Sequence, residues 1–336
     1  MDAIRRIADA VLYEGYVLWP YRRSAIKNQR RWTFGGVYPE AHAAARDGDD
    51  PSTMQTQCLL EGDGDTALDV GVRFLHVVER QVLRAGATGL EPVDELEVAD
   101  QRHLSWQEAT ERELTEPRLK LARLGSPRRI PIRVAAGSGR EELRDVDGRS
   151  VGALERSWRT LEGSLEVSAQ RLGERLARIT VRVSNASPYQ GDSREEALRQ
   201  TFCSTHCVLR VTGGRFVSMT DPPPDLQSAA QTCRNVGTWP VLVGEEGDRS
   251  TVLSSPIILP DYPQVAPESP GDLFDASEID QLLVLNILSL TDEEKREMRD
   301  SDPRAREILE RTESLSEEEL MRLHGAIREF GMARSR

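Results

Sequence analysis

Helical periodicity marks the first residues of the chain. Apolar side chains occupy positions 4, 7, 8, 11 and 12, which follow the i, i+3, i+4, i+7, i+8 spacing of one helix face. Gly15 is suited to end such a helix, because glycine readily adopts the left-handed conformation found just past helix ends. The pattern therefore predicts a short amphipathic helix over residues 2–14.

A different signal predicts helices after residue 274. Three pairs have the spacing of a capping box, in which the first side chain accepts from the backbone and the second reaches back: Asp275 with Glu278, Thr291 with Glu294, and Ser316 with Glu319. Pro303 suits the first turn of a further helix. We expect an acidic, helical C-terminal region.

Between these ends, apolar and polar residues alternate with the period of a β-strand. The stretch SLEVSAQRLGERLARITVRVSN (164–185) predicts a hairpin around Gly173. A second hairpin is predicted in CVLRVTGGRFVSM with Gly213 and Gly214 as its turn. A third is predicted from segments 55–60 and 68–78, which flank EGDGD. WPVLVG and STVLSSPIIL predict two more strands, whereas the Glu- and Arg-rich residues 91–128 suggest solvated helix and loop.

These patterns predict an α+β protein with antiparallel, β-rich (sandwich-like) domains, a short N-terminal helix and a helical C-terminal tail. We expect three units. Residues 1–128 would hold the N-terminal helix and a β-rich domain with a charged insertion, 129–274 a second antiparallel β-rich domain, and 275–336 the acidic helices.

Charge limits the classes of partner. The 336 residues carry a net charge of −12, and acidic and basic residues interleave, which argues against nucleic acid and anionic membranes as partners. No apolar run approaches a membrane span, and the N-terminus lacks the apolar core of a secretory signal. We therefore expect a cytoplasmic protein, whose four cysteines are thiols or metal ligands.

The segment LYEGYVLWPYRRSAIKNQRRWTFGGVYP (12–39) holds four of the six tyrosines, two of the five tryptophans, and five cations against one acid. Such residues supply interface hot spots, but they could also hold single-stranded nucleic acid. A third interpretation is a small aromatic core with a solvated basic rim. The interface interpretation assigns partner binding to Tyr13, Tyr16, Trp19, Tyr21, Arg22, Arg23, Lys27, Arg30, Arg31 and Trp32.

A group of cysteines and a histidine is the candidate metal site. On a helix, Cys203, His206 and Cys207 of FCSTHC would share a face, and Cys233 could complete a tetrahedral zinc set. On a strand, parity places His206 opposite both neighbouring cysteines, which favours buried thiols and an ordinary histidine. We expect no cofactor, with zinc at these four residues as the alternative. His76, on the apolar parity of its segment, is predicted to be a satisfied core histidine.

Catalytic motifs are incomplete. Ser150 lies in GRSVG, which matches the nucleophile elbow by letter, but the preceding LRDVDG is not the buried apolar strand that an elbow needs. RIPIRVAAGSGREEL places a Gly-x-Gly after a strand, yet Glu142 stands where a dinucleotide fingerprint has its third glycine. The sequence thus predicts a protein that is not an enzyme.

Several long strings resemble one conserved bacterial protein family: the segment 12–39, CRNVGTWPVLVG, LSSPIILPDYPQVAPESPGDLFDASEIDQLL and LTDEEKREMRDSDPRAREILERTESLSEEELMRLHG. Genes of that family lie beside those for [NiFe] hydrogenases, particularly of the actinobacterial, high-affinity type. The resemblance spans most of the chain and implies no reaction and no catalytic residues.

The resemblance implies a non-catalytic accessory role in the assembly, maturation or complex formation of a [NiFe] hydrogenase, with hydrogenase subunits or maturation factors as partners. The aromatic-basic segment and the acidic C-terminal helices would be the docking surfaces. Two alternatives stay open: a zinc-type enzyme or module that uses the cysteine and histidine group, and a binder of anionic ligands or nucleic acid through the N-terminal segment.

Overall fold

The computed structural model describes residues 3–13, 35–46, 50–99, 101–264, 287–301 and 303–315. Its helices are α1 (Ala3–Tyr13), α2 (Glu40–Ala44), α3 (Arg194–Leu198), α4 (Gln227–Gln231), α5 (Asp292–Ser301) and α6 (Pro303–Glu313). Its strands are β1 (Thr53–Gly86), β2 (Gly89–Val93), β3 (Glu95–Val98), β4 (Gln101–Leu104), β5 (Trp106–Lys120), β6 (Arg128–Val134), β7 (Gly137–Arg144), β8 (Ser150–Trp158), β9 (Leu161–Arg171), β10 (Leu176–Asn185), β11 (Cys203–Phe216), β12 (Trp239–Leu242) and β13 (Thr251–Ser255). None of the described helices is long and apolar enough to cross a membrane.

The long strand β1 organises the main sheet. One edge of β1 pairs in turn with β10, β5 and β2, and the other edge pairs with β11 and then β8, always antiparallel. The longest run of neighbouring strands in the main sheet has the order β12-β13-β11-β1-β10-β9-β6, and β7 pairs with β8. β3 and β4 form a separate two-stranded sheet.

The sheet curves around its largest apolar cluster. Strands from both ends of the path contribute to this cluster, through Ile130 of β6 and Leu242 of β12. At its centre the rings of Phe74 and Phe202 stack with centroids 4.6 Å apart. We call the face of the sheet that carries this cluster the inner face.

The helices cover the opposite, outer face. Successive side chains of a strand point to opposite faces, so Leu75 and Val77 of β1 face away from Phe74. They share a second cluster with residues from both ends of the chain: Leu12 and Tyr13 of α1, and Ile287, Met298, Ala305, Ile308 and Leu309 around α5 and α6. The two terminal helical regions therefore pack on one face.

The predicted fold class is confirmed: the protein is β-rich and antiparallel, with a short N-terminal helix and C-terminal helices. The hairpin in 164–185 is formed by β9 and β10. The Thr291 capping box is present, since Glu294 N donates to Thr291 Oγ1 at 3.3 Å and Thr291 N donates to Glu294 Oε2 at 2.9 Å. Pro303 begins α6 as predicted. The predicted caps at Asp275 and Ser316 lie outside the described residues.

Two predicted hairpins are wrong. Residues 55–60 and 68–78 belong to the single strand β1, and residues 207–216 of the predicted Gly213-Gly214 hairpin belong to the single strand β11. β11 pairs with β1 on both sides of a register shift between Gly62 and Ala67. Glycines and aspartates at this point therefore form an irregularity within two continuous strands, where Thr66 Oγ1 donates to the Gly213 carbonyl at 2.9 Å.

The prediction of helix and loop for residues 91–128 is also wrong, since most of this stretch forms β3, β4 and β5. β5 pairs with β1 from Arg80 to Ala67. The predicted boundary at 128/129 falls within β6, after its first residue, and β8, β10 and β11 beyond it all pair with β1.

Candidate functional site

An ionic group lies beneath α1 on the outer face. Arg73 of β1 is 5% exposed. Its Nη2 donates to Asp9 Oδ1 of α1 at 2.6 Å and to Glu111 Oε2 of β5 at 3.1 Å. The Tyr13 hydroxyl donates to Glu111 Oε1 at 2.5 Å. The group therefore ties the last turns of α1 to two neighbouring strands.

Electrostatics make this attachment firm. Burial disfavours the charged guanidinium of Arg73, but the carboxylates of Asp9 and Glu111 outweigh burial and raise the pKa of Arg73. A buried cation of this kind is costly to leave without its carboxylates. The paired charges thus fix α1, and Tyr13 at its end, at one place on the sheet.

The last residues of the aromatic-basic segment are fixed close by, at the start of β11. Gly35 O accepts a hydrogen bond from Thr205 N at 2.9 Å. Gly35 has φ +57°, and a Cβ there would lie 2.5 Å from Pro256 Cγ, so only glycine fits. Val37 then exchanges backbone hydrogen bonds with Phe202 at 3.0 and 3.1 Å.

Of the predicted partner-binding residues, the structure describes Tyr13. Its side chain is buried at 3% exposure and packs in the outer-face cluster with Cys203. Tyr13 therefore anchors the segment from within the core. The other nine lie outside the described residues: Tyr16, Trp19, Tyr21, Arg22, Arg23, Lys27, Arg30, Arg31 and Trp32.

The four predicted metal ligands do not converge. Ser204, with φ +50°, sits in an irregularity of β11, where Cys203 pairs with Leu75 and His206 with Arg73. This shift leaves Cys203 in the outer-face cluster and Cys207 in the inner one, while Cys233 packs against a third cluster. Within the part of the chain that the structure describes, no three His, Cys, Asp or Glu side chains form a group able to hold a metal ion.

Burial of Cys207 and His206 also sets their protonation states. Burial raises the pKa of the Cys207 thiol to about 12 and lowers the pKa of His206 to about 4. Both side chains are 0% exposed. The thiol is therefore protonated and the imidazole neutral at physiological pH, as in inert core residues.

Sequence reasoning missed a buried polar cluster just after the aromatic-basic segment. His42 Nε2 lies 2.9 Å from Asp50 Oδ2, and Arg194 Nε donates to Asp50 Oδ1 at 3.3 Å. Arg194 also donates to the hydroxyl of Tyr38, whose ring stacks on His42 with centroids 5.4 Å apart. No sequence spacing signals this cluster, because Arg194 lies far from the others along the chain.

The electrostatics of this cluster favour an ionised Asp50. Burial alone would raise the pKa of this carboxyl, but hydrogen bonds and charge from His42 and Arg194 outweigh burial and lower it. Burial raises the pKa of Tyr38 well above its usual value. The cluster thus fastens the chain after residue 35 to α3 through a charge-assisted network.

Comparison with family models and with curated proteins assigns no family to this chain. No protein-family model matches it, and no curated protein matches it significantly. The chemistry at hand is therefore that of the two groups above, around Arg73 and around Asp50. The charged atoms of both groups form hydrogen bonds and ion pairs with other side chains of the same protein. This arrangement suits the anchoring of a segment better than it suits proton transfer.

Proposed function

We propose that the protein is a non-catalytic docking protein that assists the assembly, maturation or complex formation of a [NiFe] hydrogenase. The identity of the partner, a [NiFe] hydrogenase, rests on the family resemblance of the sequence. The observation that carries the docking role is that α1 and the C-terminal helices share one apolar cluster on the outer face of the sheet.

Two neighbouring attachments support this role. Residues 14–34 of the aromatic-basic segment lie between Tyr13, which the Arg73 group holds, and Gly35, which the start of β11 holds. Tyrosine, tryptophan and arginine residues dominate binding energy at protein interfaces. A segment rich in them, with both ends fixed on a rigid sheet, loses less conformational entropy when a partner binds.

The acidic helices add a second charge to the same face. α5 begins with Asp292, Glu293 and Glu294. A partner surface that meets this face would therefore encounter the acidic first turn of α5 beside the attachment points of a basic segment. Charge complementarity of both signs favours one orientation of the partner over others.

The test is affinity purification of the tagged protein from its native host at moderate salt, with mass spectrometry of the captured proteins. We expect hydrogenase subunits or hydrogenase maturation factors in the eluate. Trp19→Ala and Tyr21→Ala should reduce their capture by about tenfold or more, as truncation of a hot-spot residue does.

Trp239→Ala is the matched control, because it makes the same substitution at a tryptophan of β12 that is 43% exposed. It should leave capture unchanged. Thermal unfolding of each variant separates docking from packing: unfolding of Trp19→Ala would favour the aromatic-core interpretation. Full capture by both folded variants, or an eluate without hydrogenase proteins, would contradict the proposal.

A further inference from the structure

The main sheet branches along one edge of β1. On this edge β11 pairs as far as Leu75, opposite Cys203, and β8 begins at Glu79, opposite Ser157. Residues 76–78 have no ladder partner there among the described strands, although β5 pairs with them on the other edge. The two neighbouring strands therefore separate, and a cleft opens between them.

The cleft has a volume of about 380 Å³, which lies in the range of small-molecule sites. β1 forms its floor, the ends of β7 and β8 form one wall, and the end of α3 forms another. The lining residues are Val77, Glu79, Ala136, Gly137, Ser138, Ser157, Trp158, Arg159 and Arg199.

Trp158 supplies a fixed aromatic surface. Its indole nitrogen donates to the Ala135 carbonyl at 3.0 Å, so its polar atom is already satisfied. The ring also packs closely on Gly137, where a Cβ would lie 2.6 Å from Trp158 Cζ2. With its orientation held in this way, the indole offers the cleft a rigid, apolar surface on which a planar ring can stack.

Two arginines give the cleft a positive balance. Arg199 pairs with Glu79 at 2.8 Å, but its Nε is buried and has no hydrogen-bond partner. Arg159 is exposed and forms no ion pair with any described residue. The guanidinium groups therefore exceed the single carboxylate by one charge, and a buried N–H remains to be satisfied.

A buried histidine, His76, lies behind the floor of the cleft: it has the inner-face parity of Phe74 and is not among the lining residues. The core position predicted for His76 is confirmed at 0% exposure, but the prediction that it is satisfied is wrong, since neither ring nitrogen makes a hydrogen bond of normal geometry. The Arg159 backbone lies close enough to favour protonation of the imidazole, yet burial and the charge of Arg112 lower its pKa to about 4. Unsatisfied buried polar groups are rare and concentrate at sites with a role.

We propose that this cleft binds a small molecule that carries a planar ring and one anionic group, either a carboxylate or a phosphate. The ring stacks on Trp158, and the anion pairs with Arg159 and Arg199, which both line the cleft. Ser138 and Ser157 offer hydroxyls for a polar substituent. Val77, which lines the cleft, belongs to the outer-face cluster, so the site adjoins the docking face, but the proposal does not depend on the hydrogenase proposal.

Calorimetric titration of the purified full chain tests the proposal with two anionic probes, adenosine monophosphate and indole-3-carboxylate. Their neutral counterparts, adenosine and indole-3-carboxamide, and inorganic phosphate and acetate serve as comparisons. We expect at least one anionic ring compound to bind about tenfold or more tightly than its neutral counterpart and its ringless anion. The stronger probe identifies which anion the cleft prefers.

Arg199→Gln and Ser138→Leu should each weaken that binding by about tenfold. Arg199→Gln removes the cation that pairs with the anion. Ser138→Leu fills the cleft from an exposed position, so it still tests the proposal if Arg199→Gln fails to fold. Arg140→Gln, which alters an exposed ion pair with Glu155 on the same β7–β8 hairpin, is the control. Binding that all three variants retain, or no heat from either anionic probe at millimolar concentration, would overturn the proposal.

Discussion

Replacement of Arg73 by methionine tests the ionic group beneath α1. The substitution keeps most of the side-chain volume but removes the cation between Asp9 and Glu111. Breaking a buried ion pair from one side costs about 3–5 kcal/mol, because the remaining charge has no partner. Here the carboxylate side chains are 18 and 35% exposed, and water can solvate them in part, so we expect a loss of about 2–3 kcal/mol in the free energy of unfolding.

Urea unfolding at neutral pH measures this loss as a lower midpoint with an unchanged slope. Arg5→Met is the matched control, because Arg5 is 55% exposed and lies 3.9 Å from Glu113; it should cost less than about 1 kcal/mol. Adding Asp9→Asn and Glu111→Gln to Arg73→Met should recover part of the loss, since no charge is then left unpaired. A midpoint for Arg73→Met equal to that of Arg5→Met would refute the reasoning.

Three further outcomes follow from the structure. Because the folded-state pKa of Asp50 is lowered, its ionised form stabilises the fold above the unfolded pKa, and this contribution is lost as pH falls through the folded pKa. Thermal midpoints of the wild type and Asp50→Asn should therefore converge on acidification. A constant difference between the two midpoints would contradict this. Phe202→Ala should cost about 3–5 kcal/mol in urea unfolding, because Phe202 is 0% exposed and stacks on Phe74; a loss below about 1 kcal/mol would be inconsistent with a packed core. Gly213→Ala should cost about 1–2 kcal/mol, since Gly213 has φ +76° and the added Cβ would make only an ordinary contact, 3.8 Å from Thr66 Cα. Gly139→Ala, with no contact and no positive φ, should be close to neutral.

Local sequence patterns predicted those elements whose partners are close along the chain. The alternation in residues 164–185 specified both strands of a hairpin that pairs with itself, and the Thr291 capping box reports only on its own helix. β5 was misjudged because Glu, Arg and Leu have high helix propensity, while its conformation is decided by pairing with β1. Propensity is a weak guide when a long neighbouring strand supplies the hydrogen bonds.

The segment EGDGD, predicted to be a hairpin turn but found within β1, shows a second limit of prediction from sequence. Glycine and aspartate favour a hairpin turn and an irregularity within a strand for the same reason, namely their tolerance of unusual backbone angles. Only the distant strand β11 distinguishes the two, because its pairing continues on both sides of the irregularity. The Arg73 group and the cleft were likewise unpredictable, since each depends on which strands meet at β1.

The length of β1 also imposes an order on folding. β2 and β5 follow β1 closely in the chain, but β11, which fills much of the other edge, begins at residue 203, whereas β1 ends at residue 86. At a synthesis rate of about 5–20 residues per second, that interval lasts on the order of ten seconds. During this time the N-terminal half of β1 has neither β10 nor β11 available, and its unpaired backbone groups form an open template for other strands. Both edges of this half stay unpaired until β10 and β11 have been synthesised, and we expect nascent chains to depend on its protection until residue 216 has left the ribosome.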